Sequence, residues 1–104
     1  MSLDNSQKKR FRQIGHHLKP IVTVTDKGVS AGVSEELERA LTDHELIKVK
    51  LAGADREQKQ VLADKICKQS GALCIQTIGH VLLLYRKANE PNPKLSNLVR
   101  FERR

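Results

Sequence analysis

Four residues near the start of the chain recur at intervals of three or four and carry cationic or imidazole side chains. Lys9, Arg12 and His16 share one face of a helical wheel, and Lys19 lies at the edge of that face. Lys and Arg supply positive charge and hydrogen-bond donors, which is the chemistry that holds phosphate. This pattern predicts a polyanionic partner; the alternative is an ordinary solvated helix surface.

A second candidate site is the turn Thr25-Asp26-Lys27-Gly28. It follows a β-branched run and leads to Ser30, where a helix is expected to start. Free N–H groups at a helix N-terminus attract anions, and a glycine allows a backbone to approach a phosphate closely. The same residues also suit a plain strand-to-helix turn, so the residues alone leave both interpretations open.

Histidine and cysteine form no recognisable catalytic or metal-binding pattern. His16 and His17 are adjacent and point to different faces of a helix, and the spacing of Cys67 and Cys74 fits neither a redox pair nor a zinc knuckle. The chain also lacks a P-loop and a nucleophile elbow. We therefore predict no enzyme activity, no metal site, no cofactor and no small-molecule substrate.

Hydrophobic periodicity predicts the elements that position these residues. Phe11, Ile14 and Leu18 mark the buried face of the first helix, and Asp4 with Gln7 makes a capping box. The predicted order is α-β-α-β-α-β-β, with strands over residues 21–25, 46–51, 73–78 and 81–86. This order predicts an α/β (α+β-like) single domain in which a four-stranded mixed sheet packs against helices.

The arrangement of the strands follows from the same pattern. If they lie in sequential order, right-handed crossovers put the second and third helices on one face of the sheet. Lys48 and Lys50 alternate with apolar residues and would then point to water from the other face.

The positive charge is concentrated at the two ends of the chain. The 104 residues carry a net charge of +7, of which +4 falls in residues 1–20, 0 in residues 21–86 and +3 in residues 87–104. The last stretch places Asn89, Pro91, Asn92 and Pro93 close together. We predict a domain over residues 1–87 and a flexible basic tail over residues 88–104.

Hydropathy excludes a membrane-spanning segment. The longest apolar run is Val81–Tyr85, far shorter than the roughly 20 residues that a span requires. The first residues also lack the apolar stretch of a secretory signal. We expect a cytoplasmic protein, and we expect a monomer because no segment is typical of a buried dimer seam.

Three blocks of the sequence resemble the bacterial YhbY family, whose members are single domains of the CRM class (chloroplast RNA splicing and ribosome maturation). The blocks are residues 16–20 (HHLKP), 44–50 (HELIKVK) and 76–86 (QTIGHVLLLYR). The resemblance covers about residues 3–86. It implies an RNA-binding domain similar in fold to the C-terminal domain of translation initiation factor three, associated with precursors of the large ribosomal subunit.

The family's signature for RNA contact is a G-x-x-G loop between the first strand and the next helix, which is likened to the loop of KH domains. The matching residues here are 25–28, and only the second glycine is present. The resemblance therefore implies that the RNA contacts come from the loop and from the basic helix. The predicted RNA-binding residues are Lys9, Arg12, His16, Lys19, Lys27, Gly28 and Ser30.

The sequence supports one leading hypothesis and leaves two alternatives. The leading one is a non-catalytic protein that binds ribosomal RNA in large-subunit precursors. The first alternative is a protein-interaction module whose sheet face, with Lys48 and Lys50, docks on an acidic ribosomal or translation factor. The second is a small RNA-processing enzyme with His16 as its general base.

Overall fold

Within residues 3–25 and 27–102, which the computed structural model describes, four helices pack on the two faces of one four-stranded sheet. The strands are β1 (Pro20–Val24), β2 (Leu46–Leu51), β3 (Leu73–Ile78) and β4 (Val81–Tyr85). The helices are α1 (Asn5–Gly15), α2 (Ala31–His44), α3 (Arg56–Ser70) and α4 (Asn97–Glu102). The predicted fold class and mixed sheet are confirmed, and α4 is an additional element.

The strand order across the sheet is β1-β2-β4-β3, which differs from the sequential order considered above. β1 and β2 are parallel, and β4 is antiparallel to both β2 and β3. The reason is that residues 82–85 of β4 are all buried, whereas no residue of β3 is. A strand that is apolar on both faces belongs in the middle of a sheet, so β4 lies inside and β3 at the edge.

Two hydrophobic clusters lie on opposite faces of the sheet. On one face, α2 and α3 contribute Leu37, Leu41 and Ile66, which confirms the prediction that these helices share a side. On the other face, called the α1 face here, α1 and α4 contribute Phe11 and Leu98. The part of the α1 face that carries Lys50 stays open to water, as predicted, but α1 and α4 cover the rest.

The start of α1 and its contact with the sheet follow directly from local sequence. The predicted capping box is confirmed, because the Gln7 N–H donates to Asp4 Oδ1 at 2.7 Å and the Asp4 N–H donates to Gln7 Oε1 at 3.2 Å. At the other end, a Cβ atom on Gly15 would lie 2.8 Å from Leu83 Cδ2. The absence of that Cβ lets α1 approach the sheet closely.

α1 ends at Gly15, three residues before Leu18, which the hydrophobic periodicity placed on the buried face of the helix. The N–H groups of His17 and Leu18 donate to carbonyls only three residues back, at 3.0 and 3.1 Å. This tighter turn rotates the chain away from the α-helical period. Lys19 therefore lies in the connection to β1, outside the helix that carries Lys9 and Arg12.

The C-terminal segment differs most from the prediction. Ala88 and residues 96–98 are buried against the body, while residues 89–95 are exposed, and residues 103–104 are outside the described part of the chain. The buried carboxylate of Glu45 accepts hydrogen bonds from the Ala88 N–H at 2.8 Å and from Ser96 Oγ at 2.7 Å. Asn97 Nδ2 donates to the Leu46 carbonyl at 2.6 Å. These bonds seat α4 on the α1 face.

A sequence signal for this helix exists in the apolar residues Leu98 and Phe101, which are three positions apart and follow Ser96. Residues at this spacing share one face of a helix, and Ser is a preferred residue for starting one. The nearby prolines and asparagines indicate a loop, and for this reason the sequence predicts a tail and not a helix. The partner Glu45 lies about fifty residues away, and periodicity carries no information about such a contact.

Truncation of Leu98 tests whether the C-terminal segment is part of the folded domain. Leu98 is 9% exposed and packs in the cluster that contains Phe11, Leu83 and Tyr85. We expect Leu98→Ala to lower the free energy of unfolding by about 2–4 kcal/mol, because it leaves a cavity in that cluster. Equilibrium urea unfolding measures the change.

Leu95→Ala is the matched control, because Leu95 is 37% exposed in the same segment. We expect this control to change the free energy of unfolding by no more than about 0.5 kcal/mol. Equal stability of the two variants would contradict the docked position of α4.

Candidate functional site

The structure brings three of the predicted residues together, with Lys9 and Arg12 on α1 and His16 at its C-cap. Lys9 and His16 are exposed, and Arg12 is half-buried. Phe11 and Ile14 are buried on the opposite side of the helix. The predicted division of α1 into a buried face and a basic face is therefore present in the structure.

The loop after β1 forms a tight turn before α2. The Gly28 N–H donates to the Thr25 carbonyl at 2.9 Å, and the Lys27 N–H donates to Thr25 Oγ1 at 3.4 Å. Gly28 has a φ of +84°, a conformation that side-chain-bearing residues rarely adopt, and nothing lies within 4 Å of the position of a Cβ. Asp26 is outside the described residues. The Lys27 side chain is exposed beside this glycine.

Ser30 has a structural role that can be read directly from its contacts. Its side-chain oxygen accepts the N–H of Val33 at 3.2 Å, which makes it the N-cap of α2. The hydroxyl is therefore engaged within the protein. Ser30 shapes the loop by fixing where α2 begins.

The loop and the end of α1 do not lie side by side. Lys19 immediately precedes β1 and Lys27 follows it, and a five-residue strand extends over about 16 Å. The extended conformation of β1 separates these two basic features.

Lys48 and Lys50 of β2 lie between Lys19 and the loop after β1. β1 and β2 are paired with Pro20 opposite Lys48 and Thr23 opposite Lys50. Because side chains alternate along a strand, both lysines point to the α1 face, while Val49 packs in the cluster under α2. Their alternation is visible in the sequence, where it supports only the protein-docking alternative.

The exposed side of α1, the α1 face of the β1–β2 pair and the loop after β1 each carry cations, and these are called the basic face here. Its members are Lys9, Arg12, His16, Lys19, Lys48, Lys50 and Lys27. Among the described residues, none of their side chains forms a salt bridge with a carboxylate. Its cations are therefore available to an external anion.

Other basic residues are engaged inside the protein. Arg86 Nη1 donates to Glu38 Oε2 at 2.7 Å and to the Ser70 carbonyl at 2.9 Å, and Nη2 donates to Thr42 Oγ1 at 3.0 Å. One guanidinium thus ties α2 to the end of α3. Lys59 Nζ donates to the Gly79 carbonyl at 3.1 Å, which anchors α3 to the β3–β4 turn. These two cations stabilise the fold.

Among the described residues there is neither a metal-binding cluster nor a membrane-spanning helix. Within residues 3–25 and 27–102, no group of three or more His, Cys, Asp or Glu side chains is placed to hold a metal ion. In the same part of the chain, no helix is long and apolar enough to cross a bilayer.

The Arg86–Glu38 pair predicts a pH dependence of stability. The hydrogen bond from Arg86 lowers the pKa of the Glu38 carboxyl below its ordinary value of 4.5. Because the pKa is lower in the folded state, the contribution of Glu38 is present above about pH 4.5 and is lost as the pH falls through the lowered pKa. Glu38→Gln should therefore cost stability at neutral pH and progressively less in acid.

The size of this effect is limited by solvent, because the Glu38 side chain is 62% exposed. We expect at most about 1 kcal/mol, the range of exposed ion pairs. Urea unfolding of the wild type and of Glu38→Gln at several pH values measures it. The same comparison in an Arg86→Gln background is the control and should show no such pH dependence.

Comparison with known proteins places the chain in a family. The family model of the CRS1 / YhbY (CRM) domain matches residues 3–86. A probable RNA-binding protein of Pseudomonas aeruginosa is 54% identical over 101 residues, which is 97% of each chain. An RNA-binding protein of Haemophilus influenzae is 46% identical over 94 residues, or 90% of this chain and 95% of that one.

A solved structure agrees with these matches in fold. The solution structure of the Staphylococcus aureus protein SAV1595 superimposes with a TM-score of 0.75 at 25% sequence identity, and the match covers 91% of this chain and 98% of the other. The resemblance inferred from three short blocks is thereby confirmed over most of the chain. This protein is a member of the CRS1 / YhbY (CRM) domain family.

Proposed function

We propose that this protein is a non-catalytic RNA-binding protein that uses the basic face to hold the phosphate backbone of its RNA. The observation that carries the proposal is the basic face itself, whose cations form no salt bridge with a described carboxylate. The names of the Pseudomonas and Haemophilus relatives, which describe RNA-binding proteins, support the same partner.

Phosphate contacts explain how such a surface binds RNA. Each Lys or Arg that neutralises a phosphate releases condensed counterions, so affinity falls by roughly 0.7–0.9 log units per contact for each tenfold rise in salt. The predicted contacts at Lys9, Arg12, His16, Lys19 and Lys27 would make this dependence steep. Lys48 and Lys50 lie between them and would add to it.

The loop after β1 would have a different part in binding. Gly28 exposes backbone without a side chain, and the cap at Ser30 fixes the loop beside the start of α2. An RNA backbone could therefore approach Lys27 and the loop closely, in the manner by which KH domains clamp nucleotides.

The target that we propose is ribosomal RNA in precursors of the large subunit, bound by a monomer in the cytoplasm. This finer part of the proposal rests on the family resemblance, while the phosphate contacts rest on the basic face.

Charge reversal on the basic face tests RNA binding. We expect Arg12→Glu with Lys19→Glu to weaken binding by on the order of a hundredfold or more, because attraction to phosphate becomes repulsion at two positions. Fluorescence anisotropy with a labelled fragment of large-subunit ribosomal RNA measures the affinity. Unchanged affinity would show that the basic face is not the binding surface.

Lys65→Glu with Lys68→Glu is the matched control for charge. Both lysines are exposed on α3, which lies on the opposite side of the sheet. The control changes the net charge by the same amount and should weaken binding far less. Thermal unfolding of both double variants shows whether the fold is kept.

The cellular target is tested by crosslinking RNA to the protein and sedimenting the extract through a gradient. We expect the protein to crosslink to ribosomal RNA in large-subunit particles. Its association with those particles should be lost after nuclease digestion. Crosslinks to free messenger RNA alone would contradict the ribosomal target. Association with the particles that survives nuclease would favour the protein-docking alternative, and cleavage of a model RNA by the purified protein would contradict the non-catalytic assignment.

A further inference from the structure

An open groove of about 490 Å³ lies between the α1–β1 connection and α4, at the part of the basic face that carries Lys19 and Lys48. Lys19 and Lys48 line one side, and Arg100 of α4 lines the other. The rings of His17 and His44 also border the groove, and none of its described lining residues is Asp or Glu. The groove is thus a local concentration of positive charge.

This groove exists because α4 is docked. His44 Nδ1 donates to the Leu95 carbonyl at 2.9 Å, and Asn97 donates to the Leu46 carbonyl at 2.6 Å. Arg100 follows Asn97 by three positions, so the two side chains lie on the same side of α4. Since the family model ends at residue 86, the wall that carries Arg100 lies outside the matched domain.

The groove also offers apolar surface next to its cations. Ile21 is 51% exposed at its edge, and Leu18 and Phe101 line it. The ring of Phe101 stacks on that of His17, with centroids 5.7 Å apart. Lys48 is half-buried, so its aliphatic stem contributes further apolar surface below the charged amine.

Cations beside apolar and aromatic surface suit one class of ligand in particular. In a single-stranded nucleic acid the bases are free to stack on apolar or aromatic side chains, while the phosphates meet Lys and Arg. A duplex offers its phosphates but keeps its bases paired inside. The acidic side chains of a peptide would contact the cations but could not stack on the rings.

We propose that this groove binds a single-stranded segment of the RNA held by the basic face, and that α4 is the element that adds this contact. Lys19, Lys48 and Arg100 contact phosphates of the segment. A base lies on the apolar surface formed by Leu18 and Ile21. The inference rests on the proposed function, because the groove continues the basic face through Lys19 and Lys48.

The experiment compares two full-length variants on two RNAs. Arg100→Gln removes the cation of α4, and Lys94→Gln removes a cation from the same C-terminal segment outside the groove. One RNA is a labelled ribosomal RNA hairpin, and the other is the same hairpin with a single-stranded extension of about six nucleotides. Affinity is measured by anisotropy over a range of salt concentrations.

We expect Arg100→Gln to weaken binding of the extended RNA roughly tenfold and to lower its salt slope by about one contact. The hairpin without the extension should lose less than about twofold, and Lys94→Gln should change either RNA by less than about twofold. An unstructured oligonucleotide should also displace the extension better than a polyglutamate peptide of equal charge.

Three outcomes would overturn the inference. If Arg100→Gln binds the extended RNA as the wild type does, while Arg12→Glu with Lys19→Glu loses binding, the groove inference fails and the proposed function stands. Equal displacement by polyglutamate would show a site for any acidic chain. If the wild type binds neither RNA, the proposed function and the groove fail together. Ile21→Ser, at an exposed position, tests the base-stacking surface independently. We expect it to weaken binding of the extended RNA.

Discussion

The burial of β4 on both of its faces is the constraint on which the rest of the structure depends. Leu82 and Leu84 point into the cluster under α2 and α3, while Leu83 and Tyr85 point to the α1 face. A sheet with such a central strand must be covered on both sides. α1 has only eleven residues, so its cover is incomplete, and the apolar side chains of α4 supply part of the remainder.

The position of α4 depends in turn on one buried carboxylate. Glu45 has a φ of 61°, an unusual conformation for a residue other than glycine, and the turn between α2 and β2 aims its side chain inward. A buried carboxylate is costly unless it is hydrogen-bonded; here Ala88 and Ser96 provide the donors. The strained turn therefore positions the carboxylate that holds the C-terminal segment in place. The docked segment in turn forms one wall of the groove beside Arg100.

The cations of the protein divide into two groups with different roles. Arg86 and Lys59 are engaged by carbonyls, and Arg86 also by the Glu38 carboxylate, so they stabilise the packing of the helices. The lysines at positions 19, 48 and 50 have no such described partner and lie on the α1 face. Net charge alone suggests a polyanionic partner, but it does not show which cations are available to that partner. Their availability depends on the neighbours that folding brings to each one.

The sequence by itself determined the local features: the capping box at Asp4, the N-cap at Ser30, the buried and basic sides of α1, and the elements of the family domain. These depend on residues a few positions apart, where periodicity and capping chemistry apply. Only the tertiary structure decided that β4 lies in the middle of the sheet, that Lys48 and Lys50 link the two predicted basic features, and that Arg100 and Lys19 line the same groove. Each of these contacts joins residues from distant parts of the chain. Such pairs are selected by burial of apolar surface across the whole sheet, which no local pattern encodes.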